Sequence, residues 1–326
     1  MKLRIATFNL ENLDDKPGES PSLQERIQVL RPQLLRLHAD VICFQEVNGQ
    51  ETPNQPRQLL ALKSLLEQTE YANFHIAHTK TQNGEAYDER NLVVISRYPL
   101  SGVEQYLNRL IPTLQYKKVT SLPPETNARP VGWERPILYA RVNLSDGQTI
   151  HLINVHLKSR LPSEIKGQSE GKYAWKTSSG WAEGFFLSSM KRVGQALEAR
   201  ILVDSLFDND AGANIIVCGD FNAHPDEVPV EAIAGRVENT GNAALIRRTM
   251  ISCESTIPEP ARYTYVHQGQ KRLLDHMLIS PTMLKYYRTS EIHNETLHDE
   301  GVAFAYDTKF PESDHAPFVA EFVMEA

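Results

Sequence analysis

Polar side chains stand at the carboxyl ends of four strand-like apolar segments. Along a strand, residues two apart share one face, and in each segment the apolar face turns polar at its end. These faces end at Asn9, at Glu46, at Asn154 with His156, and at Asp220 with Asn222. A single polar residue in this position is usually a turn cap. Because burying a carboxylate is costly unless it is paired or binds metal, four such ends predict polar groups that converge at one end of a sandwich.

Two Asp-His pairs extend this set of polar residues. Asp275-His276 lies within an apolar segment, and Asp314-His315 follows Glu312 and Ser313. Each pair alone is more typical of a surface loop or of a satisfied core pair. Carboxylate and amide oxygens are the ligands that suit Mg²⁺ or Mn²⁺. The chain offers no cysteine ligand set and no HExxH helix, so a zinc site is not predicted.

The elements that must position these residues are mostly short strands. Apolar segments bounded by turn residues predict strands at Leu3–Leu10, Asp40–Val47, Phe74–Thr79, Leu92–Ser96, Ile137–Leu144, Thr149–Leu157, Asn214–Asn222, Leu273–Ser280 and Pro317–Met324. One helix opens with a capping box at Ser22 and Glu25, and Pro32 predicts a kink or two short helices. Its apolar stripe is Ile27, Leu30, Leu34 and Leu37.

A second helix is predicted over about 188–207, with Val193, Leu197 and Ile201 as its apolar stripe. No linker rich in proline, glycine or serine divides the chain. Many strands with few helices therefore favour an α+β layered sandwich that forms one domain over residues 1–326.

Composition places the chain among ordinary globular proteins. It has 326 residues, 41% of them hydrophobic, and a net charge of -7, which argues against coating nucleic acid by bulk charge.

No run of about 18 apolar residues is present, so a membrane span is not expected. Residues 1–10 lack an apolar signal core, which favours a cytoplasmic location, with a secreted form whose signal has been trimmed as the alternative. With three cysteines, a paired disulfide framework is excluded, and Cys43 and Cys218 are predicted to be reduced core residues.

Six segments together resemble the endonuclease/exonuclease/phosphatase superfamily, which has the DNase I-like fold. They are residues 5–10 (IATFNL), 40–47 (DVICFQEV), 153–157 (INVHL), 218–222 (CGDFN), 274–277 (LDHM) and 313–317 (SDHAP). The segments follow the family's order across nearly the whole chain. The resemblance implies a four-layer α/β/β/α sandwich of two packed mixed sheets with outer helices. It also implies phosphoester hydrolysis that depends on Mg²⁺ or Mn²⁺.

The same resemblance implies a role for each polar residue. Glu46 would be the main metal ligand with Asn9 beside it, and Asp314 a second ligand to metal or water. Asp220 would orient or deprotonate the attacking water. His315 would contact the phosphate, held in orientation by Asp275. The remaining phosphate or substrate contacts would come from Asn222, His156 and Asn154.

Two further stretches refine the expected site. The spacing of Tyr87, Glu89 and Arg90 before an apolar strand resembles pancreatic-type deoxyribonucleases and implies that Glu89 pairs with His156. A solvated, charged hairpin entry explains the stretch equally well. Arg135, just before the strand at 137–144, stands where the family often has a phosphate-contacting arginine, although a plain surface arginine fits nearly as well. Tyr87, Arg90 and Arg135 are therefore predicted substrate contacts.

Residues 158–192 form a basic and aromatic insert. It holds seven basic residues against three acidic ones and two of the three tryptophans. Basic side chains interleaved with aromatic rings suit a nucleic-acid strand. The predicted substrate contacts here are Lys172, Trp175, Lys176 and Trp181. The alternative is a loop whose aromatic rings anchor it to the core.

Three functions remain open from the sequence. A Mg²⁺-dependent nuclease that acts on DNA or RNA is favoured by the insert and by Glu89. A phosphatase or phosphodiesterase that acts on a small molecule or a lipid headgroup is the alternative. A non-catalytic binding module is disfavoured because every expected acidic and histidine position is filled. We expect nucleic acid as substrate, a monomer, and no association with membranes.

Overall fold

The computed structural model describes residues 1–171, 173–306 and 309–324. Its strands are β1 (Lys2–Leu13), β2 (Val41–Val47), β3 (Gln50–Thr52), β4 (Gln55–Gln58), β5 (His75–His78), β6 (Asn91–Ser96), β7 (Leu100–Tyr106), β8 (Leu114–Tyr116), β9 (Arg129–Val131), β10 (Ile137–Asn143), β11 (Thr149–His156), β12 (Asn214–Asp220), β13 (Ile251–Ser252), β14 (Tyr265–His267), β15 (Gln270–Arg272), β16 (Asp275–Ile279), β17 (Tyr287–Ile292) and β18 (Phe318–Val323). Its helices are α1 (Leu23–Leu37), α2 (Leu60–Leu66), α3 (Ser178–Asn209), α4 (Val228–Ala234), α5 (Val237–Thr240), α6 (Pro281–Leu284) and α7 (Glu300–Ala305).

The strands form two mixed sheets of six strands each. The first has the order β17-β18-β1-β2-β6-β5 and the second the order β13-β16-β12-β11-β10-β7. Each sheet has one parallel pair at its centre, β1 with β2 and β11 with β12. The remaining pairs in both sheets are antiparallel. The two central parallel pairs carry the polar strand ends that the sequence singles out.

The core occupies three layers between and outside the sheets. Leu3, Val41, Leu152 and Ile216 belong to the fully buried cluster between the sheets. The helices α1 and α2 cover the outer face of the first sheet, and α3 and α4 cover that of the second. Burying one such aliphatic side chain contributes about 1.5–3 kcal/mol. The predicted four-layer sandwich is confirmed.

The first predicted helix is nearly correct. Ser22 and Glu25 form the capping box, and Ile27, Leu30, Leu34 and Leu37 are buried. The helix continues through Pro32 rather than dividing into two, since apolar side chains on both sides of the proline pack on the same sheet. Cys43 and Cys218 are buried and free, as predicted.

The second predicted helix is wrong in its extent and in its buried face. It begins ten residues earlier, at Ser178. Leu197 is 46% exposed and Ile201 37% exposed, whereas the polar Glu198 is fully buried. The carboxylate of Glu198 accepts hydrogen bonds from the amides of residues 108–110 and from the indole of Trp133. These partners satisfy the buried charge and turn α3 away from the face that its apolar residues predict.

Candidate active site

Left-handed backbone brings the polar side chains of the strand ends into the site. Glu46 has φ 57° and Asn222 has φ 48°, which non-glycine residues adopt at a cost. Gly219, with φ 138°, is required before Asp220 because an added Cβ would lie 2.0 Å from the carbonyl oxygen of Val155. Backbone of this kind is characteristic of functional sites, where packing holds a strained arrangement in place.

Asp220 lies at the centre of the hydrogen bonds that hold the site together. Its Oδ1 accepts the backbone amide of Asn222 at 2.8 Å, and its Oδ2 accepts Asn222 Nδ2 at 3.0 Å and Asn9 Nδ2 at 3.1 Å. The Oδ2 also lies 3.9 Å from His315 Nε2. Burial raises the pKa of Asp220 to about 7, with Asp275 adding to the rise and His315 opposing it. A proton can therefore be held on this carboxylate, or released from it, near neutral pH.

Asp275 fixes the orientation of the His315 ring. The His315 Nδ1 lies 2.7 Å from Asp275 Oδ2. Ser313 fixes the backbone there, since its hydroxyl donates to the carbonyl of Asn9 and accepts the amide of His315. Burial alone would lower the pKa of His315, but Asp275, Asp220 and Asp314 outweigh it and raise that pKa well above 6.5. The ring is therefore an imidazolium at neutral pH, with Nε2 facing Asp220.

His156 also lies close to Asp220 Oδ2 and differs from His315 in its charge state. Its Nε2 is 3.4 Å from Asp220 Oδ2 and 3.5 Å from Glu46 Oε1. Burial, followed by the charge of Arg135, lowers the pKa of His156 well below 6.5. The ring is therefore neutral and serves as a hydrogen-bonding group. Two histidines that flank one carboxylate thus divide into a cation and a neutral partner.

A group of acidic side chains lines the cleft beside these residues. Glu11 Oε2 accepts the amide of Asp314 at 3.0 Å, and Glu46 Oε2 accepts the amide of Asn12 at 3.1 Å. Burial and the proximity of Asp314 raise the pKa of Glu11 to about 9, and burial raises that of Asp314 to about 6. Loss of solvation is the main cause of these shifts, and repulsion between neighbouring carboxylates adds to it. The donor set fits a hard divalent cation.

Glu11 is a candidate residue that the sequence analysis missed. Its signal was present, because it stands two residues after Asn9 on the same strand. The regular alternation of β1 is lost there, since Glu11 and Asn12 have positive φ and the pairing with β2 shifts between Asn9 and Leu13. An alternation pattern could therefore not place its side chain.

A second trio, Asp220, Asp275 and His315, offers ligand atoms that lie within 4.8 Å of one another. Two of these residues already bond to each other, since the Nδ1 of His315 lies 2.7 Å from Asp275 Oδ2. This trio is better described as a hydrogen-bonded relay beside the acidic group.

Two sequence-based assignments are corrected by the structure. Asn154 is fully buried and faces the other sheet: its Oδ1 accepts Gln45 Nε2, and its Nδ2 donates to the carbonyls of Phe44 and Val93. It joins the two sheets and has no polar atom left for a substrate. Glu89 is exposed, and within the described residues no hydrogen bond or ion pair joins it to His156, whose near carboxylates are those of Glu46 and Asp220.

The three predicted substrate contacts around the site differ in their burial and in their hydrogen-bond partners. Arg135 is buried close to the charges of Glu46 and Asp220, and within the described chain its Nη1 has no hydrogen-bond partner. Arg90 is exposed, with Nε 3.3 Å from Asn12 Oδ1. Tyr87 is half-buried in the turn before β6, where its backbone bonds to the Asn91 side chain.

The insert is folded onto the protein rather than extended from it. Trp175 is half-buried against Gly184 of α3, which supports the anchoring interpretation for that ring. Trp181 remains 47% exposed and stacks on Phe185 at 5.5 Å. Lys176 is exposed. Lys172 lies outside the described residues.

Several basic side chains of the insert already have protein partners. Lys191 pairs with Glu134, and Arg160 lies 3.5 Å from Glu227. Arg192 donates to the carbonyls of residues 158 and 159. The free positive charge of the insert is therefore smaller than its sequence suggests.

Comparison with known proteins agrees with the order of motifs and with the geometry. The sequence model of the Endonuclease/Exonuclease/phosphatase family matches residues 6–315. The chain belongs to this family. No curated protein sequence matches it significantly. The family assignment thus covers nearly the whole chain, including every residue of the site described above.

Solved structures show the same fold at low sequence identity. Truncated TDP2 from Caenorhabditis elegans is 14% identical with a TM-score of 0.58, and the alignment covers 99% of this chain and 98% of that one. The 3′ phosphatase NExo from Neisseria, bound to a product DNA hairpin, is 16% identical with a TM-score of 0.54, over 99% and 100%. A family protein from Bacteroides vulgatus is 17% identical with a TM-score of 0.56, over 100% of both chains.

Proposed function

We propose that this protein is a divalent-metal-dependent phosphodiesterase that hydrolyses nucleic acid. The observation that carries the proposal is the arrangement around Asp220. A carboxylate with a pKa near neutrality lies between the cationic His315 and the neutral His156, beside a group of acidic residues. Hydrolysis of a phosphodiester needs a positioned water, a cation near the developing charge, and donors to the phosphoryl oxygens.

The acidic residues that would hold the cation are Glu46, Asn9, Glu11 and Asp314. Bound Mg²⁺ or Mn²⁺ would supply charge stabilisation to the phosphoryl oxygens. Since no metal-ligating sulfur or neutral imidazole lies among these four residues, an oxygen-seeking metal is the expected occupant.

The protein's own residues would provide proton transfer and orientation. Asp220 Oδ2 would accept a proton from the attacking water, while the amide groups of Asn9 and Asn222 hold the carboxylate in place. His315 Nε2 would donate to a phosphoryl oxygen, with Asp275 keeping the ring charged. Neutral His156 and buried Arg135 would complete the set of donors.

Nucleic acid is the proposed substrate class for two reasons. The structure of NExo has DNA bound to the same fold, and the insert of this chain adds exposed rings and lysines near one end of the sandwich. A phosphatase that acts on small molecules is the competing function, and the substrate panel below separates the two.

The test is hydrolysis of single-stranded DNA, RNA, duplex DNA and a panel of phosphomonoesters in Mg²⁺, with and without EDTA. We expect Asp220→Asn to lower turnover by about 10²–10⁴-fold without unfolding, because it removes the proton acceptor and keeps the shape. Asp226→Asn is the matched control, since this exposed carboxylate follows in the same loop. Full activity in EDTA, or in Asp220→Asn, would contradict the proposal, and turnover confined to monoesters would favour the competing function.

A further inference from the structure

The cleft beside the catalytic residues is lined by two kinds of side chain. It encloses about 820 Å³. The polar groups that line it include Asn9, Glu46, Asp314 and His315. Four aromatic residues also line it, Tyr173, Phe304, Phe310 and His298, and together they are called the aromatic wall. Aromatic rings in a catalytic cleft need an explanation, because exposed large apolar groups mark contact sites.

Two rings of the aromatic wall come from separate parts of the chain and contact each other. Tyr173 and Phe304 pack edge to face, with ring centroids 5.1 Å apart and planes at 90°. Tyr173 is 53% exposed and Phe304 is 59% exposed. The two rings therefore contact each other, and each residue keeps more than half of its surface exposed.

Tyr173 is placed there by a small hairpin in the insert. The amide of Glu170 donates to the carbonyl of Ala174 at 2.9 Å, and that of Lys176 donates to the carbonyl of Gln168 at 2.7 Å. At the base of the hairpin, Trp175 packs against Gly184 of α3. The basic and aromatic insert thus ends in a tip that presents Tyr173 to the site.

Phe304 is placed by α7, which is fixed to a neighbouring hairpin. The carboxylate of Asp299 caps α7 through the amide of Gly301 and also accepts the amides of Gln268 and Gly269 between β14 and β15. One side chain thereby locks the helix to the hairpin that carries Tyr265, whose ring lies 5.3 Å from that of His315. The aromatic wall and the catalytic histidine share this support.

We propose that Tyr173 and Phe304 form a subsite that stacks a nucleobase of the substrate next to the scissile phosphate. The inference rests on the proposed function and deepens it. The charge of the lining decides in favour of an uncharged flat ring over a second phosphate, since Glu19 and Glu300 lie there and Lys309 is paired with Glu19 at 3.6 Å. Stacking on aromatic side chains contributes about 1–3 kcal/mol per base and tolerates any base.

The subsite selects substrates whose base can leave its partner and enter the cleft. Single-stranded ends and unpaired nucleotides satisfy this condition directly, whereas a base inside a duplex must first be unstacked at a cost of a few kcal/mol. We therefore expect this protein to prefer single-stranded or frayed nucleic acid over internal duplex sites.

The experiment compares two fluorescent octamers, oligothymidylate and a fully abasic octamer with the same phosphates. Affinity is measured in Mg²⁺ by anisotropy in the Asp220→Asn background, which avoids cleavage. The parent should bind the thymidylate about 5- to 150-fold more tightly than the abasic strand, as one stacked base implies. Tyr173→Ala and Phe304→Ala should each reduce this ratio towards one without weakening the abasic strand. Tyr173→Trp should keep it, and Phe186→Ala, an equally exposed ring outside the cleft, should not change it.

Two outcomes would overturn the subsite. One is a ratio that neither cleft variant changes. The other is a cleft variant that binds the thymidylate and the abasic octamer more weakly by the same factor, which would show that the rings only maintain the shape of the cleft. Because these readouts are affinities, they are independent of hydrolysis. Wild-type protein that cleaves no phosphoester in Mg²⁺ would contradict the proposed function, while the base-dependent ratio would still decide the subsite.

Discussion

The chemistry of individual residues here depends on how many charges share a small buried volume. Asp220, Glu11 and Asp314 all have raised pKa values, with burial as the leading cause. Folding alone would not assemble three such carboxylates, because each loses solvation on burial. The divalent cation of the proposed function would explain their presence, since it would supply positive charge beside these carboxylates.

Glu46→Gln and Glu11→Gln should each increase the Mg²⁺ concentration needed for half-maximal activity. Both changes preserve shape and remove ligand charge. Titration of activity with Mg²⁺ measures the shift, and we expect about 10-fold or more for Glu46. Glu51→Gln is the control because Glu51 is exposed and pairs with Arg57 away from the cleft. An unchanged Mg²⁺ requirement would remove the substituted residue from the ligand set.

A buried pair behind the site, His276 with Glu254, gives a prediction for stability. His276 Nδ1 lies 2.7 Å from Glu254 Oε1, and His276 Nε2 lies 2.8 Å from the carbonyl of Ala223, next to Asn222. Although burial opposes it, the carboxylate raises the pKa of His276 above 6.5. The pKa of Glu254 is lowered below 4.5, since His276 outweighs the effect of burial. Both groups are therefore charged in the folded protein over the range between these values.

Glu254→Gln should destabilise the protein by about 3–5 kcal/mol near pH 5–6, because it leaves a buried imidazolium without its partner. The stabilisation from His276 is complete below its unfolded pKa of about 6.5 and is lost as pH rises through the higher folded value. That from Glu254 is present above about 4.5 and is lost as pH falls through the lower folded value. Urea unfolding from pH 4 to 9 should therefore show the largest deficit between about pH 4.5 and 6.5, and a deficit independent of pH would contradict this account.

The sequence pattern predicted secondary-structure elements well where one face of the element is apolar and buried. It predicted them less well where buried polar side chains bond to another layer of the sandwich. The alternation in β1, β2, β11 and β12 correctly indicates the strands and their polar ends. Alternation identifies the face on which Asn154 lies, but not what the opposite sheet presents to it. In the structure Gln45 is there, and the two amides bond to each other at 2.8 Å. The buried face of α3 was predicted wrongly for the same reason, since Glu198 is buried against hydrogen-bond donors that are far away in the sequence.

Asn154→Ala tests the link between the sheets. The change removes three hydrogen bonds of a fully buried amide and leaves Gln45 and two backbone carbonyls short of partners. We expect a loss of about 2–4 kcal/mol in the free energy of unfolding, since each unsatisfied buried group costs about 1–3 kcal/mol and some will rebond. Chemical denaturation measures it. Asn143→Ala, at the half-buried end of β10, should cost less, because its amide bonds to Pro99 and Ser101 lie near solvent, where water can replace the lost partner.

In the whole molecule, the order of motifs along the chain was the most informative signal. Six short segments scattered between residues 5 and 317 become neighbours because two parallel strand pairs end at the same place, where the antiparallel strands β16 and β18 begin. Local patterns could not indicate the hairpin tip at Tyr173 or the docking of α7, because these depend on contacts such as Asp299 with the turn at Gln268.

For the described residues, no helix is both long and apolar enough to cross a membrane.

The charge distribution of the molecule leads to a last prediction, on binding to long polyanions. The net charge is -7, and several cations of the insert are paired, so few phosphates can be neutralised away from the cleft. Lys166 and Lys176 are exposed in the insert. Replacing both with alanine in the Asp220→Asn background should reduce the log–log salt slope for single-stranded DNA by about 1.4, since each lost contact on a single strand accounts for about 0.7.

The matched control replaces Lys63 and Lys285, two exposed lysines on other elements, and changes the net charge equally. If charge acted only through the overall field of the protein, both double variants would weaken binding alike. A local path for the strand requires that only the Lys166 and Lys176 variant flattens the slope. An unaltered slope would mean that the insert contributes its aromatic tip to substrate binding and none of its charge. Since the tip binds a base without releasing counterions, the Tyr173→Ala variant should lower affinity at every salt concentration and leave the slope unchanged.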